Sequence, residues 1–123
     1  MRTIKFRAWD SDLGLMMPEV DLSQALQHYK WLGRKDLPIM QFTGLLDKNG
    51  REVYENDIVL IIEDVVVEVI SGHERREPEG RQEIVKWENG AWFIGDEMAW
   101  EEAEYCEIIG NIYQNPELIK DVC

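Results

Sequence analysis

From Thr3 to Trp9 the chain alternates, with Ile4, Phe6 and Ala8 on one side and Lys5, Arg7 and Trp9 on the other. A period of two marks a half-buried strand, so this segment is expected to be the first strand. Asp10, Ser11, Asp12 and Gly14 supply turn residues, and Leu15 to Val20 can return as a second strand. The pattern then changes. Asp21 with Gln24 three residues on resembles a helix start, Leu26 and Tyr29 fall at helical spacing, and Gly33 is a stop signal, which together predict one short inserted helix.

Strand patterning resumes at Ile39 to Phe42, Glu52 to Tyr54 and Ile58 to Ile70. The last run is long for a flat strand, and Glu63-Asp64 in its middle predicts a bend or bulge. Ser71 to Gln82 is polar and contains Gly72, Pro78 and Gly80, so it reads as a mobile loop at a hairpin tip, returning through a strand over Glu83 to Trp87. Asn49-Gly50 and Asn89-Gly90 can each fill the positive-φ positions of a tight turn, and the second, between EIVKWE and AWFI, is the strongest hairpin signal in the chain. Glu107 to Tyr113 is expected to be the final strand, and Asn115-Pro116-Glu117 the start of a helical turn. No internal repeat or linker interrupts this order. The pattern predicts a single mainly β domain over 1–123, built of short antiparallel strands as a small barrel or two packed sheets.

Composition narrows the function classes. The 123 residues carry a net charge of −12, and 83–123 alone hold two basic residues against ten acidic ones. Phosphate neutralisation supplies most non-specific affinity for nucleic acid, so direct DNA or RNA binding is not expected. The basic candidates are Arg2, Lys5 and Arg7, and then Arg75, Arg76 and Arg81, which are interleaved with Glu74, Glu77 and Glu79. The longest uncharged apolar run, IVLII, is far too short to span a bilayer, and the opening MRTIKFRAWD alternates where a signal peptide would be continuously apolar. Cys106 and Cys123 show no paired spacing, so free thiols in a reducing cytoplasm are expected, with no zinc site.

Catalytic constellations are sparse. His28 and His73 stand alone, one in the expected helix and one in the expected loop, and there is no Gly-rich phosphate cradle. The carboxylate pairs Asp10/Asp12 and Asp47/Asp57 have the chemistry to hold a divalent metal, but turn formation already accounts for them. No catalytic residue, metal ligand or cofactor is therefore assigned. Aromatics are more suggestive, with five tryptophans. On a hairpin joined by Asn89-Gly90, Glu88 faces Ala91 and Trp87 faces Trp92, so the two indoles share one side, either as core or as a partner-binding surface. Trp92 is expected to be the more buried, since Ala91 and Phe93 make its strand the more continuously apolar. Trp9, on the polar side of the first strand, is covered by the helix or open to a partner, and Trp100 in MAWEEAEY is expected to anchor that acidic segment.

Four segments, MRTIKFRAWD, MQFTGLLDKNGREVYENDIV, EIVKWENGAWFIGD and EIIGNIYQNPELI, resemble the YopX family of bacteriophage and prophage proteins, in that family's order. The resemblance implies a β-rich fold that includes a small SH3-like barrel, a bacterial host cytoplasm, and no catalytic residues. DLSQALQHYKWLGRKD and HERREPEGRQ depart from the family as insertions. Within the central segment, Tyr54-Glu55-Asn56-Asp57 resembles the turn by which small barrels enter a strand, with Asp57 closing the turn and Tyr54 covering the barrel end. Three readings stand at this point. The first is a non-catalytic protein-binding or assembly module, its partner another protein or its own copy in a homo-oligomer. The others are an acidic decoy that occupies a host nucleic-acid-binding protein, and a metal-dependent hydrolase using clustered carboxylates.

Overall fold

The computed structural model describes residues 4–18, 20 and 38–121. Strands β1 (Phe6–Asp10), β2 (Leu15–Met17), β3 (Ile39–Leu46) and β4 (Glu52–Tyr54) form an antiparallel sheet in the order β2-β1-β3-β4. Strands β5 (Asp57–Ile70), β6 (His73–Glu88), β7 (Ala91–Ile94), β8 (Glu97–Met98) and β9 (Cys106–Asn111) form a second antiparallel sheet, β8-β7-β6-β5-β9, and the fold includes one half-barrel. One turn of helix, α1 (Ala99–Glu102), continues into a 3-10 turn over Ala103–Tyr105, and a second 3-10 segment covers Pro116–Asp121.

Alternation along the strands of the second sheet puts Val59, Ile61, Val85, Ile94 and Cys106 on one side, where they are buried with Ala99 and Ala103. Val53 of β4 and Leu45 of β3 enter the same core from the first sheet. Each large aliphatic side chain removed from water here contributes roughly 1.5–3 kcal/mol, which is what holds the two sheets together. Turn chemistry fixes the register. Asn89 and Gly90 take φ of 50° and 80°, the two left-handed positions of a tight hairpin turn, and Trp87 pairs with Trp92 and Glu88 with Ala91 as expected. The first Asn-Gly turn differs: Gly50 is left-handed (φ 81°) but Asn49 is not. Asp47 N donates to Arg51 O at 2.8 Å and Gly50 N to Asp47 O at 3.0 Å, so the loop is longer by one residue and only its glycine needs the special backbone.

Several expectations are corrected. Ser71 to Gln82 is not a loop, because β6 starts at His73 and runs unbroken to Glu88, opposite β5 through a two-residue turn at Ser71-Gly72 (φ 51° and 79°). The irregularity in β5 falls between Val66 and Glu68, leaving Val67 unpaired, and not at Glu63-Asp64. β3 continues to Leu46, past a bulge at Gly44 (φ 87°) where the buried Thr43 hydroxyl donates to Val53 O at 2.8 Å and accepts from Leu45 N at 3.1 Å. The final strand is Cys106–Asn111, because Asn111 turns the chain: its Oδ1 accepts from Tyr113 N and Gln114 N. Trp100 does not anchor its segment; it is 64% exposed, and Ala99 and Ala103 make the contacts instead. The helix expected from Asp21 to Gly33, with His28, lies outside the described residues, as does Cys123.

Candidate interaction surface

Two turns hold the sheets together, one by connecting β4 to β5 and one, between β3 and β4, by reaching across to β9, and both use residues singled out from the sequence. Asp57 closes the turn from β4 to β5: its Oδ2 accepts from Tyr54 N at 2.8 Å, while Asn56 takes φ 67°. Its Oδ1 accepts from Arg7 Nη2 of β1 at 2.6 Å. The Arg7 guanidinium also lies over the Tyr54 ring, 4.6 Å from its centroid, and Tyr54 packs on Phe42. Burial pushes the Asp57 carboxyl up, and Arg7 and the Tyr54 N–H pull only part of the way back. Asp47 does the equivalent work at the β3–β4 turn. Its carboxylate accepts from Asn49 N (2.9 Å), Arg51 N (2.9 Å) and, across to β9, Ile108 N (3.1 Å). Burial opposes its charge, but those three backbone donors and Arg51 outweigh it and hold the carboxyl below its ordinary value. Asp10 likewise organises its own turn by accepting from Asp12 N and Leu13 N. These carboxylates are committed to backbone, and among the described residues no group of three His, Cys, Asp or Glu is placed to share a metal ion.

The tryptophans divide. Trp87 and Trp92 meet edge to face with centroids 4.9 Å apart. Trp92 packs on the core, its Nε1 buried without a hydrogen-bond partner among the described residues, whereas Trp87 is 48% exposed. Trp9 is not part of that pair; it is stacked on Tyr113, 6.3 Å between centroids. Arg2 lies outside the described residues, and the other basic candidates are ion-paired in place, Arg7 with Asp57 as above. Lys5 pairs with Glu52, Arg76 with Glu74, Arg75 with Glu68 and Glu77, and Arg81 with Glu63, Glu83 and Glu102.

One exposed feature was only half legible in the sequence, which predicts the strand Ile58 to Ile70 but reads its partner as a loop. β9 pairs with β5 only as far as Ile61, and β7 pairs with β6 only from Val85. Beyond Ile61, β5 and β6 continue alone as a two-stranded arm with a free edge on either side among the described residues. Side chains opposite one another share a face. One face carries Glu63, Val65 and Glu68 with Arg81 and Arg75, tied into ion pairs. The other carries Ile62, Asp64 and Val66, and past the bulge Val69, opposite Gly80, Pro78, Arg76 and Glu74. Ile62 and Val69 are 57% and 62% exposed, and Val66, Val67 and Ile70 are exposed as well. An isolated two-stranded ribbon is marginal in water, and this one leaves five large aliphatic side chains exposed.

Comparison with known proteins agrees with the fold. A family model described as YopX protein matches residues 19–120. The crystal structure of protein EF1440 from Enterococcus faecalis is similar with a TM-score of 0.62 at 23% identity, over 96% of this chain and 99% of that one. The same mainly β architecture is therefore shared across nearly the whole length of both chains. Comparison with curated proteins gives no match. No helix among the described residues is long and apolar enough to cross a membrane.

Proposed function

Since the chain belongs to the YopX family, whose model spans residues 19–120, we propose that it is a phage or prophage protein that works in the bacterial host cytoplasm as a non-catalytic protein-binding or assembly module. One observation carries this reading: the β5–β6 arm extends beyond the sheets with Ile62, Val66, Val67, Val69 and Ile70 all exposed. Exposed aliphatics cost solubility and add nothing to a core, so a surface of this kind is retained for what it contacts. The exposed edge of Trp87, supported from behind by Trp92, offers a second anchor of the residue type that dominates interface energetics. Affinity capture from lysogenic cells, with mass spectrometry, tests the reading. The parent chain is expected to retain a recurrent set of proteins that a Val66→Lys, Val69→Lys double variant loses at an unchanged melting midpoint. Retention of the same set by the double variant contradicts it.

A further inference from the structure

Unpaired N–H and C=O groups along a strand edge are a template for another strand, and soluble proteins usually blunt such edges with proline, charge or a bulge. The two edges of the arm are blunted unequally. Along β6 the exposed run is His73-Glu74-Arg75-Arg76-Glu77-Pro78, dense in charge, and proline sits in strands where its nitrogen faces away from the ladder. Along β5 the run is Ile62-Glu63-Asp64-Val65-Val66-Val67-Glu68-Val69-Ile70, with no proline and no basic residue, its only interruption the bulge at Val67. The β5 edge is the receptive one.

Its charge says what it can receive. Arg81 and Arg75 already bind Glu63 and Glu68 on the β6 side, and Asp64 has no ion-pair partner among the described residues. The edge is acidic on a chain of net charge −12. A second copy of the chain fits it badly: the antiparallel register that sets Ile62 against Val69, and so keeps like faces together across the bulge at Val67, places Glu63 of each copy opposite Glu68 of the other, and like charges directly opposite are destabilising. Resting on the module reading, we infer that the outer edge of β5 from Ile62 to Ile70 takes up an extended strand of another protein, with basic residues facing Glu63, Asp64 and Glu68 and apolar residues facing the valines and isoleucines. Main-chain hydrogen bonds supply affinity in this mode, and the alternating side chains supply selectivity.

The test uses the full chain and two fluorescein-labelled peptides long enough to span Ile62–Ile70, one with Lys at the three positions facing the acids and one with Glu there. The lysine peptide is expected to bind on the order of tenfold more tightly than the glutamate peptide, and to weaken as salt is raised. Amide exchange is expected to slow along Ile62–Ile70 and not along His73–Glu79. In Asp64→Lys the preference at the facing position is expected to reverse, so that Glu there restores binding. Equal binding of both peptides, binding of neither, protection along β6, or self-association that the lysine peptide fails to disperse overturns the inference. If capture from cells depends on Val66 and Val69 while the lysine peptide does not bind, the basic-strand inference fails and the module reading stands; if capture is indifferent to them, the module reading fails as well.

Discussion

Arg7 Nη2 and Asp57 Oδ1 lie 2.6 Å apart, and this pair ties the first strand of one sheet to the first strand of the other. Asp57 is 1% exposed in its side chain, so its charge is tolerated because the guanidinium and the Tyr54 N–H occupy both oxygens. Breaking one side of a buried pair leaves an uncompensated charge, at about 3–5 kcal/mol. Arg7→Met is therefore expected to lose roughly that much in urea unfolding, and adding Asp57→Asn to it to recover a large part. A double variant no more stable than Arg7→Met contradicts this description of the joint.

Acid unfolding separates the two turn carboxylates. The Asp47 carboxyl is held below its ordinary value, so its contribution is present above pH about 4 and is lost as pH falls through its folded value. Asp57 is raised by burial, so its contribution has the opposite sign: it is complete below the ordinary carboxylate range and is lost as pH rises through the raised value. The stability gap between the parent and Asp47→Asn is expected to be widest near neutrality and to shrink below pH about 4. A gap independent of pH would show that the charge of Asp47 contributes nothing to the turn.

How much of this was legible depends on whether the cause was local. The Asn89-Gly90 hairpin was readable because two adjacent residues dictate their own backbone, and the Trp87–Trp92 register follows from them. Asp57 was readable as a turn closer for the same reason, but its bond to Arg7 spans fifty positions and leaves no local trace. The reach of Asp47 to Ile108 N is hidden likewise. The β5 half of the arm was read as a strand, but its β6 half was missed for a different reason. A strand with solvent on both faces has no buried side to impose alternation, so His73 to Gln82 carries the composition of a loop while keeping strand pairing against β5. Trp100 was misplaced because hydrophobicity alone does not say which neighbour, Ala99 or Trp100, a single helical turn points inward.

The paired indoles are expected to respond unequally to truncation. Trp92 packs on the core and Trp87 covers it from the solvent side. Trp92→Ala is expected to cost about 3 kcal/mol or more, and Trp87→Ala a fraction of that. Equal costs by urea unfolding would mean that both rings are core residues and that the hairpin offers no anchor.

Cys106 is fully buried with its Sγ 3.1 Å from Ala103 O, and burial pushes its thiol up to about 11. A thiol so protected is neither ionised nor reachable near neutral pH. In a Cys123→Ser chain, an alkylating reagent is expected to label Cys106 only at denaturant concentrations that unfold the protein. Rapid labelling without denaturant would contradict the closed core around α1 and β9.

The central claim is that the arm serves contact and not the fold, and the most direct check is the thermal unfolding of a chain without it. Replacing 63–79 by Asn-Gly keeps the Ile62–Gly80 pair and closes the hairpin with the same kind of turn that joins β6 to β7. The shortened chain is expected to stay folded, with Trp92 still buried by fluorescence and a melting midpoint within about 5 °C of the parent, since no fully buried side chain is removed. A shortened chain that is unfolded, or that melts some 15 °C lower, would make the arm part of the core and contradict the account.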